Sequence, residues 1–248
     1  MMSAQPRTQI ASGKEFLFSL ALALLALQCG CGLQTVRYFL PAGTTEPTGY
    51  GLYSYVLFAH PPSDQELPSY RAIAKAYLQM LTQGSPTPSR PESLNATFLP
   101  VKRGLQTELN QFSTARSGKL SDEQLDHVIR DLYDYDRAGE LLEKLQHSHT
   151  GGPYIVSNRT ALSLANGVQE PYLDQDITAC GASPEFAGPW VRIFERISAE
   201  QNWASQKLNV FAIDLIAALS TAGEQVGIAA PAIQQAIKLI SGKKTESK

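Results

Sequence analysis

A short apolar run near the start of the chain, followed at once by two cysteines, most restricts what this protein can become. Phe16 to Leu27 is apolar except for Ser19 and is rich in leucine and alanine. A membrane-spanning helix needs about 20 apolar residues, so this run is too short to span a bilayer. It has the length of the apolar core of a secretory signal, and Arg7 and Lys14 supply a weakly positive leader. We therefore expect the rest of the chain to fold outside the cytoplasm.

The stretch from Lys14 to Gly32 resembles the export signal of bacterial lipoproteins, in which the first mature residue is a lipid-carrying cysteine. Ala26-Leu27-Gln28 stands before Cys29 here. The resemblance implies a signal peptide over residues 1–28, lipidation at Cys29 and a membrane anchor in the bacterial envelope. Two alternatives stay open. Ordinary cleavage after Gly32 would give a periplasmic or secreted protein, and an absence of cleavage would leave a simple anchor.

The charge of the chain argues against a nucleic-acid partner. The chain carries 21 basic and 23 acidic residues, a net charge of −2. Loss of residues 1–28 would leave 19 basic and 22 acidic residues, a charge of −3. Nucleic-acid binding needs clustered positive charge, which this balance does not supply. The hydrophobic content of 43% predicts a real core. We expect one globular domain over residues 50–241, a tether over 29–49 and a solvated tail over 242–248.

Alternation of strand and helix patterns predicts the fold class. The stretch 50–59 is apolar on both faces, which is typical of a central strand covered on both sides. An amphipathic helix follows from about Ser69, and shorter strand patterns occupy 97–101, 154–156 and 172–178. A small apolar patch over 36–40 predicts an edge strand within the tether. After Cys180 the patterns are all helical, ending with a helix over 231–241. The sequence thus predicts an α/β or α+β fold, with a small mixed sheet of about four strands covered by amphipathic helices and a helical C-terminal third.

Several helix boundaries carry local signals. Ser121 and Gln124 form a capping box, and a phase change within 133–136 predicts two helices or one bent helix. The helix over 208–222 is apolar almost all round, apart from a thin polar stripe at Lys207, Asp214 and Thr221. We expect that helix to be largely buried and Asp214 to face water along the stripe.

Known catalytic and metal motifs do not appear in the sequence, which contains no Walker loop, GxGxxG, GxSxG or HExxH. The segment 134–139 begins like a calcium loop, but Ala138 and Leu145 stand where oxygen ligands are required, so a charged helix junction is the better interpretation. His147 and His149 lack a third metal ligand at a recognisable spacing. Cys180 is more typical of a buried thiol than of a nucleophile. We therefore expect no cofactor, no metal and no assigned catalytic residue.

Residues at strand ends are the remaining site candidates, because ligands bind beyond the carboxyl ends of strands in open α/β sheets. His60, Asn158 and Arg159 hold such positions, and they would share an edge if their two strands were parallel. We expect a ligand site there in an envelope protein with a non-catalytic binding or assembly role and a possible protein partner. The alternative is an exported hydrolase with an unfamiliar site near His60 and Arg159.

Overall fold

A computed structural model describes residues 35–81, 90–104, 108, 120–145, 149, 151–165, 171–179 and 184–241. The predicted signal, its two cysteines, His147, Cys180 and the tail 242–248 lie outside these residues. The described folded unit belongs to the compact part of the chain from Gln34 to Lys248. Among the described residues, no helix is long and apolar enough to cross a membrane.

The described part contains one mixed sheet of six strands in the order β1-β3-β2-β4-β5-β6. The strands β1, β2, β3 and β5 run parallel to one another, and β4 and β6 run the opposite way. Their bounds are β1 Thr35–Pro41, β2 Leu52–Phe58, β3 Asn95–Val101, β4 Pro153–Asn158, β5 Tyr172–Asp176 and β6 Ile237–Ile240.

Six α-helices accompany the sheet within the described residues. They are α1 Leu67–Leu81, α2 Asp122–His127, α3 Tyr135–Glu143, α4 Pro184–Ala199, α5 Leu208–Glu224 and α6 Ala230–Ala236. A 3₁₀ turn spans Pro91–Ser93, and a π-helical turn, Val128–Leu132, continues α2. The mixed α/β class is therefore the one that the sequence predicts.

The central strand β2 is buried at all seven positions, as its doubly apolar pattern predicts. Successive side chains of a strand point to opposite faces. The Phe58 ring packs on Tyr70 of α1, with ring centroids 4.5 Å apart, so one face lies under α1. On the other face, the Tyr55 hydroxyl accepts a hydrogen bond from Leu162 N at 2.8 Å. Both faces of β2 are thus covered.

Predicted helix boundaries agree with the structure where the signal is local. Ser121 and Gln124 form the expected capping box at the start of α2. The break between α2 with its π-helical turn and α3 falls at 133–134, inside the predicted interval. Asp134 accepts a hydrogen bond from Arg137 N at 2.9 Å and caps α3, so the calcium-like segment is a charged helix junction.

The number of strands and the end of the chain differ from the prediction. The sheet has six strands rather than about four. Residues 33–49 contain β1, which is the edge strand that the apolar patch indicated, so the sheet begins at Thr35. The predicted helix over 231–241 is wrong in its second half, where β6 pairs antiparallel with β5. The buried edge of β5 needs hydrogen-bond partners for its backbone, and β6 supplies them.

The long helix α5 is less buried than its composition suggests. Asp214 is exposed, as the stripe predicts. Val210 and Ile213 are also exposed, at 42% and 65% of their full surface, so the expectation of a helix buried almost all round is wrong. Only the opposite side of α5 packs on the sheet and on α4, so the side with Val210 and Ile213 stays exposed to solvent.

A glycine substitution tests how tightly the layers meet at the start of β2. A Cβ atom on Gly51 would lie 2.1 Å from the Glu92 carbonyl oxygen and 2.6 Å from Trp203 Cβ, so the backbone would have to move. We expect Gly51→Ala to lower the free energy of unfolding by about 2–4 kcal/mol. Urea denaturation measures this change in the free energy of unfolding. Gly139→Ala is the control, because that Cβ meets nothing within 4 Å in α3 and should stabilise by up to about 1 kcal/mol. Equal effects would contradict the close approach.

Candidate functional site

A pocket of about 530 Å³ opens at one end of the sheet. This volume is within the range of small-molecule sites. The register places the first residues of β1, β2, β3 and β5 and the last residues of β4 and β6 at that end. We call this end of the sheet the pocket end. Its strand residues are Thr35, Leu52, Asn95, Asn158, Tyr172 and Ile240.

The pocket combines apolar walls with positive charge. Pro171, Leu208 and Leu239 form the apolar part, and Leu239 is 43% exposed. Arg159 and Lys207 are the cations. The remaining lining residues are two carboxamides, Gln206 and Asn209. The described lining therefore holds no carboxylate, imidazole, hydroxyl or thiol, and its chemistry suits a ligand with an apolar body and a negative group.

Arg159 is built into the fold as well as into the pocket. Its guanidinium donates hydrogen bonds to the carbonyl oxygens of Gly51, at 2.6 Å, and of Trp203 and Gln206. The guanidinium carbon also lies 5.4 Å from the centre of the Trp203 ring, a cation–π distance. One side chain therefore joins the end of β4 to the start of β2 and to the loop before α5.

Trp203 explains why that loop is fixed. Its ring is fully buried, its backbone N–H donates to Ser93 O at 3.0 Å, and its indole N–H donates to Ser198 O at 2.8 Å. These bonds fasten the residues after α4 to the 3₁₀ turn and to the end of α4 itself. The pocket wall from Gln206 to Asn209 is consequently held by a buried anchor.

The start of α5 adds a further favourable feature for anions. Lys207 is the N-cap residue, its side chain does not cap the helix, and it is exposed. Leu208 and Asn209 form the first turn and line the pocket. The amino end of a helix carries partial positive charge. Lys207 and the helix therefore act in the same direction on a bound anion.

The structure separates the site residues that the sequence grouped. Strands β2 and β4 are antiparallel, with Phe58 opposite Pro153, so His60 follows β2 at the far end of the sheet from Arg159. The expectation that His60 and Arg159 share an edge is therefore wrong. His60 lies in a turn, where its Nδ1 is 2.9 Å from Pro61 O.

Asn158 lies at the pocket end but does not line the pocket. It is 1% exposed, and its side-chain amide donates to Thr160 O at 2.9 Å. Arg159 is thus the one member of the predicted group that reaches the cavity. The sequence carried no signal for Lys207 or Leu239, because they come from a helix start and an edge strand far along the chain.

A buried histidine–aspartate pair lies elsewhere in the fold. His149 Nε2 is 3.0 Å from Asp174 Oδ2, and the two side chains are 2% and 4% exposed. The His149 ring also packs edge-on against Tyr154, at 4.7 Å. Neither residue lines the pocket. This pair is the specific observation that would favour a hydrolase, since an oriented imidazole is a common general base.

A second buried ion pair joins β1 to α4. Arg37 Nη2 donates to Glu195 Oε2 at 3.1 Å, and Arg37 Nη1 donates to Met80 O at 3.1 Å. Burial raises the pKa of the Glu195 carboxyl, while the charge of Arg37 acts in the opposite direction. The pair is internal, with Glu195 2% exposed, and it ties the edge strand to the helix layer.

Acidic residues also surround His127 on the surface. Its ring nitrogens lie 2.7 Å from Asp131 Oδ2 and 2.7 Å from Glu108 Oε1, and these hydrogen bonds raise the pKa of the imidazole. Within the part of the chain that the structure describes, no group of three metal-ligating side chains has a geometry that could hold an ion.

Comparison with known proteins gives no match among protein-family models, curated proteins or solved structures.

Replacement of Arg159 tests its place in the pocket wall. We expect Arg159→Lys to lower the free energy of unfolding by about 2–3 kcal/mol, because an ammonium group cannot reproduce the forked hydrogen bonds to separate carbonyls. Urea denaturation measures the change. Lys207→Met is the matched control within the same pocket and should remain within about 0.5 kcal/mol of the wild type. Similar losses for both variants would contradict the assigned roles.

Proposed function

We propose that this protein is an exported binding protein of the bacterial envelope, held at the membrane by lipid on Cys29, whose pocket takes an amphipathic anion. The pocket is the observation that carries this proposal. Its volume suits a small ligand, its apolar residues would cover a hydrocarbon part, and Lys207 and Arg159 would attract a negative group. A protein partner in the envelope could present such a group as readily as a free molecule.

A binding role is favoured over catalysis by the composition of the pocket. A hydrolase needs a base or nucleophile within hydrogen-bond reach of the bound substrate. The lining residues that the structure describes are instead arginine, lysine, carboxamides and apolar side chains. An exported hydrolase that uses the pair of His149 and Asp174 is the second candidate. That pair is almost completely buried, so substrate access would require the surrounding structure to open.

The anchor is tested by metabolic labelling with a fatty acid. We expect the wild-type protein to take up label and Cys29→Ser to lose it, because acylation needs the thiol. Sequencing of the mature amino terminus completes the measurement. Label retained by the variant would place the acylation at another residue, and a mature protein that begins at Leu33 would favour ordinary cleavage after Gly32. Either result would contradict lipidation at Cys29.

The pocket is tested with dodecanoate and its uncharged analogue dodecan-1-ol, by isothermal titration calorimetry. We expect Lys207→Met to weaken dodecanoate binding roughly three- to fivefold, because the variant loses an exposed charge interaction of about 1 kcal/mol. Binding of the uncharged dodecanol should be unchanged. Lys238→Met is the control. It removes an exposed lysine next to Leu239 in β6, but that side chain points to the other face of the sheet. Equal effects of the two variants would contradict a site at the pocket.

A further inference from the structure

The outer side of α5 is the one helix surface, among the described residues, that carries large exposed apolar side chains. Val210 and Ile213 are 42% and 65% exposed. Residues three apart on a helix are neighbours on its surface, so these two side chains form one patch. The opposite side of α5, with Leu208, Phe211 and Leu215, is buried in the core. The exposed patch therefore takes no part in holding one copy of the chain together.

Small side chains continue the patch along the helix. Ala217 is exposed and lies seven residues after Val210, two turns further along nearly the same side. Thr221 follows one turn later, and its hydroxyl donates to Ala217 O at 3.0 Å, so this hydroxyl is bonded within the helix. The distance between two packed helices depends on the side chains at their contact, and small ones allow a close approach. This side of α5 thus offers a second helix an apolar surface that it can approach closely.

Two opposite charges border this surface on one of its sides. Lys207 is the N-cap residue of α5, and Asp214 lies seven residues later; both are exposed. At 3.6 residues for each turn, both lie about 60–80° around the helix from Ala217, and about 10.5 Å separates them along its axis. The salt bridges of the described residues include neither of them. Glu224, the other charged residue within α5, lies ten residues beyond Asp214.

The spacing of these charges suits a second copy of α5 that runs antiparallel to the first. In a pair of antiparallel helices related by a twofold axis, the same side of each helix faces the same side of the other. With the axis between Val210 and Phe211, Lys207 of each copy is level with Asp214 of the other, because both residues lie about 5 Å along the helix from the axis. A parallel pair in register would instead place like charges level with one another. The charge pattern is therefore self-complementary in the antiparallel arrangement.

The same arrangement brings the apolar patches together. The two copies of Val210 meet at the axis, and Ile213 of each copy lies about 4 Å along the helix to either side of it. Removal of these exposed apolar side chains from water favours association. A contact made by one helix face is smaller than the roughly 800 Å² per partner of a standard interface. We therefore expect a weak dimer that exchanges its copies readily.

We propose that this protein pairs with a second copy of itself through antiparallel α5 helices, with Lys207 of each copy bound to Asp214 of the other. The occupant of the exposed side of α5 is thus another copy of the same chain. This inference goes beyond the proposed function and holds whether or not the pocket takes a ligand. The contact lies beside the pocket, since Lys207 is also one of the residues that line it.

The pairing is tested by photo-crosslinking in bacterial cells that produce two full-length copies with different epitope tags. The photoreactive residue benzoylphenylalanine replaces Val210 or, in the control, Leu164. Leu164 is 54% exposed, but it lies in the loop after β4, near Tyr55 on the face of the sheet opposite α4. We expect at least five times more adduct carrying both tags from position 210 than from position 164. Equal yields, or adducts with other proteins alone, would overturn the proposal.

Charge exchange tests the antiparallel arrangement itself. Asp214→Lys in both copies should lower the yield of doubly tagged adduct from position 210 at least threefold, because each Lys207 then faces a lysine. Lys207→Asp should have the same effect, because two carboxylates then face each other. The double variant with both changes restores opposite charges across the axis and should recover at least half of the wild-type yield. Unchanged single variants, or a double variant as weak as either single variant, would overturn this arrangement.

Folding of the variants is measured separately, so that a lost adduct reports pairing alone. Lys207 and Asp214 are both exposed, and each variant should keep the urea midpoint of the wild-type protein. Immunoblots for each tag bring all variants to equal abundance before their adducts are compared. Neither the lipid on Cys29 nor a ligand of the pocket takes part in the measurement, so its failure would leave the proposed function standing.

Discussion

Burial of β2 on both faces is the constraint on which the rest of the fold depends. The strand includes Ser54, whose hydroxyl is fully buried and must be hydrogen bonded. It donates to Asn95 Oδ1 at 2.8 Å and lies 2.9 Å from Ser157 Oγ, so it links β2 to both neighbouring strands. The Asn95 side chain in turn donates to Ser198 Oγ at 3.1 Å in α4. A network of hydrogen bonds between side chains inside the core thus joins three strands and one helix.

The directions of β3 and β4 follow from what connects each of them to the strand before. In the described part of the connection from β2, the helix α1 carries the chain back across the sheet, and β3 runs parallel to β2. Among the described residues between β3 and β4, the short helices α2 and α3 return the chain to the end that it left. Strand β4 therefore runs antiparallel to β2, with Pro153 opposite Phe58. This one reversal puts Arg159 at the pocket end and leaves His60 at the other.

Local features of the fold were predictable because their causes lie within a few residues. The capping box at Ser121 and the helix junction at Asp134 depend on hydrogen bonds across three residues. The pattern of β2, which is apolar on both faces apart from Ser54, likewise lies within the strand itself and predicted its burial. The strand Tyr172–Asp176 was predictable for the same reason, because apolar and polar residues alternate within the strand itself.

Features that depend on distant partners could not be predicted in this way. Ile233, Ile237 and Ile240 fit a helical repeat, yet the helix ends at Ala236 because the open edge of β5 takes up the following residues. The direction of β4 was likewise undetermined, since either direction suits its composition. Arg159 was singled out for its place at a strand end, but its partners Gly51 and Trp203 come from segments 108 and 44 residues away.

The position of both chain ends links the proposed anchor to the proposed ligand. The described chain enters the sheet at Thr35 and leaves it after Ile240, and the register puts both residues at the pocket end. A lipid on Cys29 would therefore be connected to the pocket end through Thr35. His60 and the exposed Asp64 lie at the opposite end of the sheet. A ligand in the pocket and an envelope partner at that end would therefore occupy different surfaces.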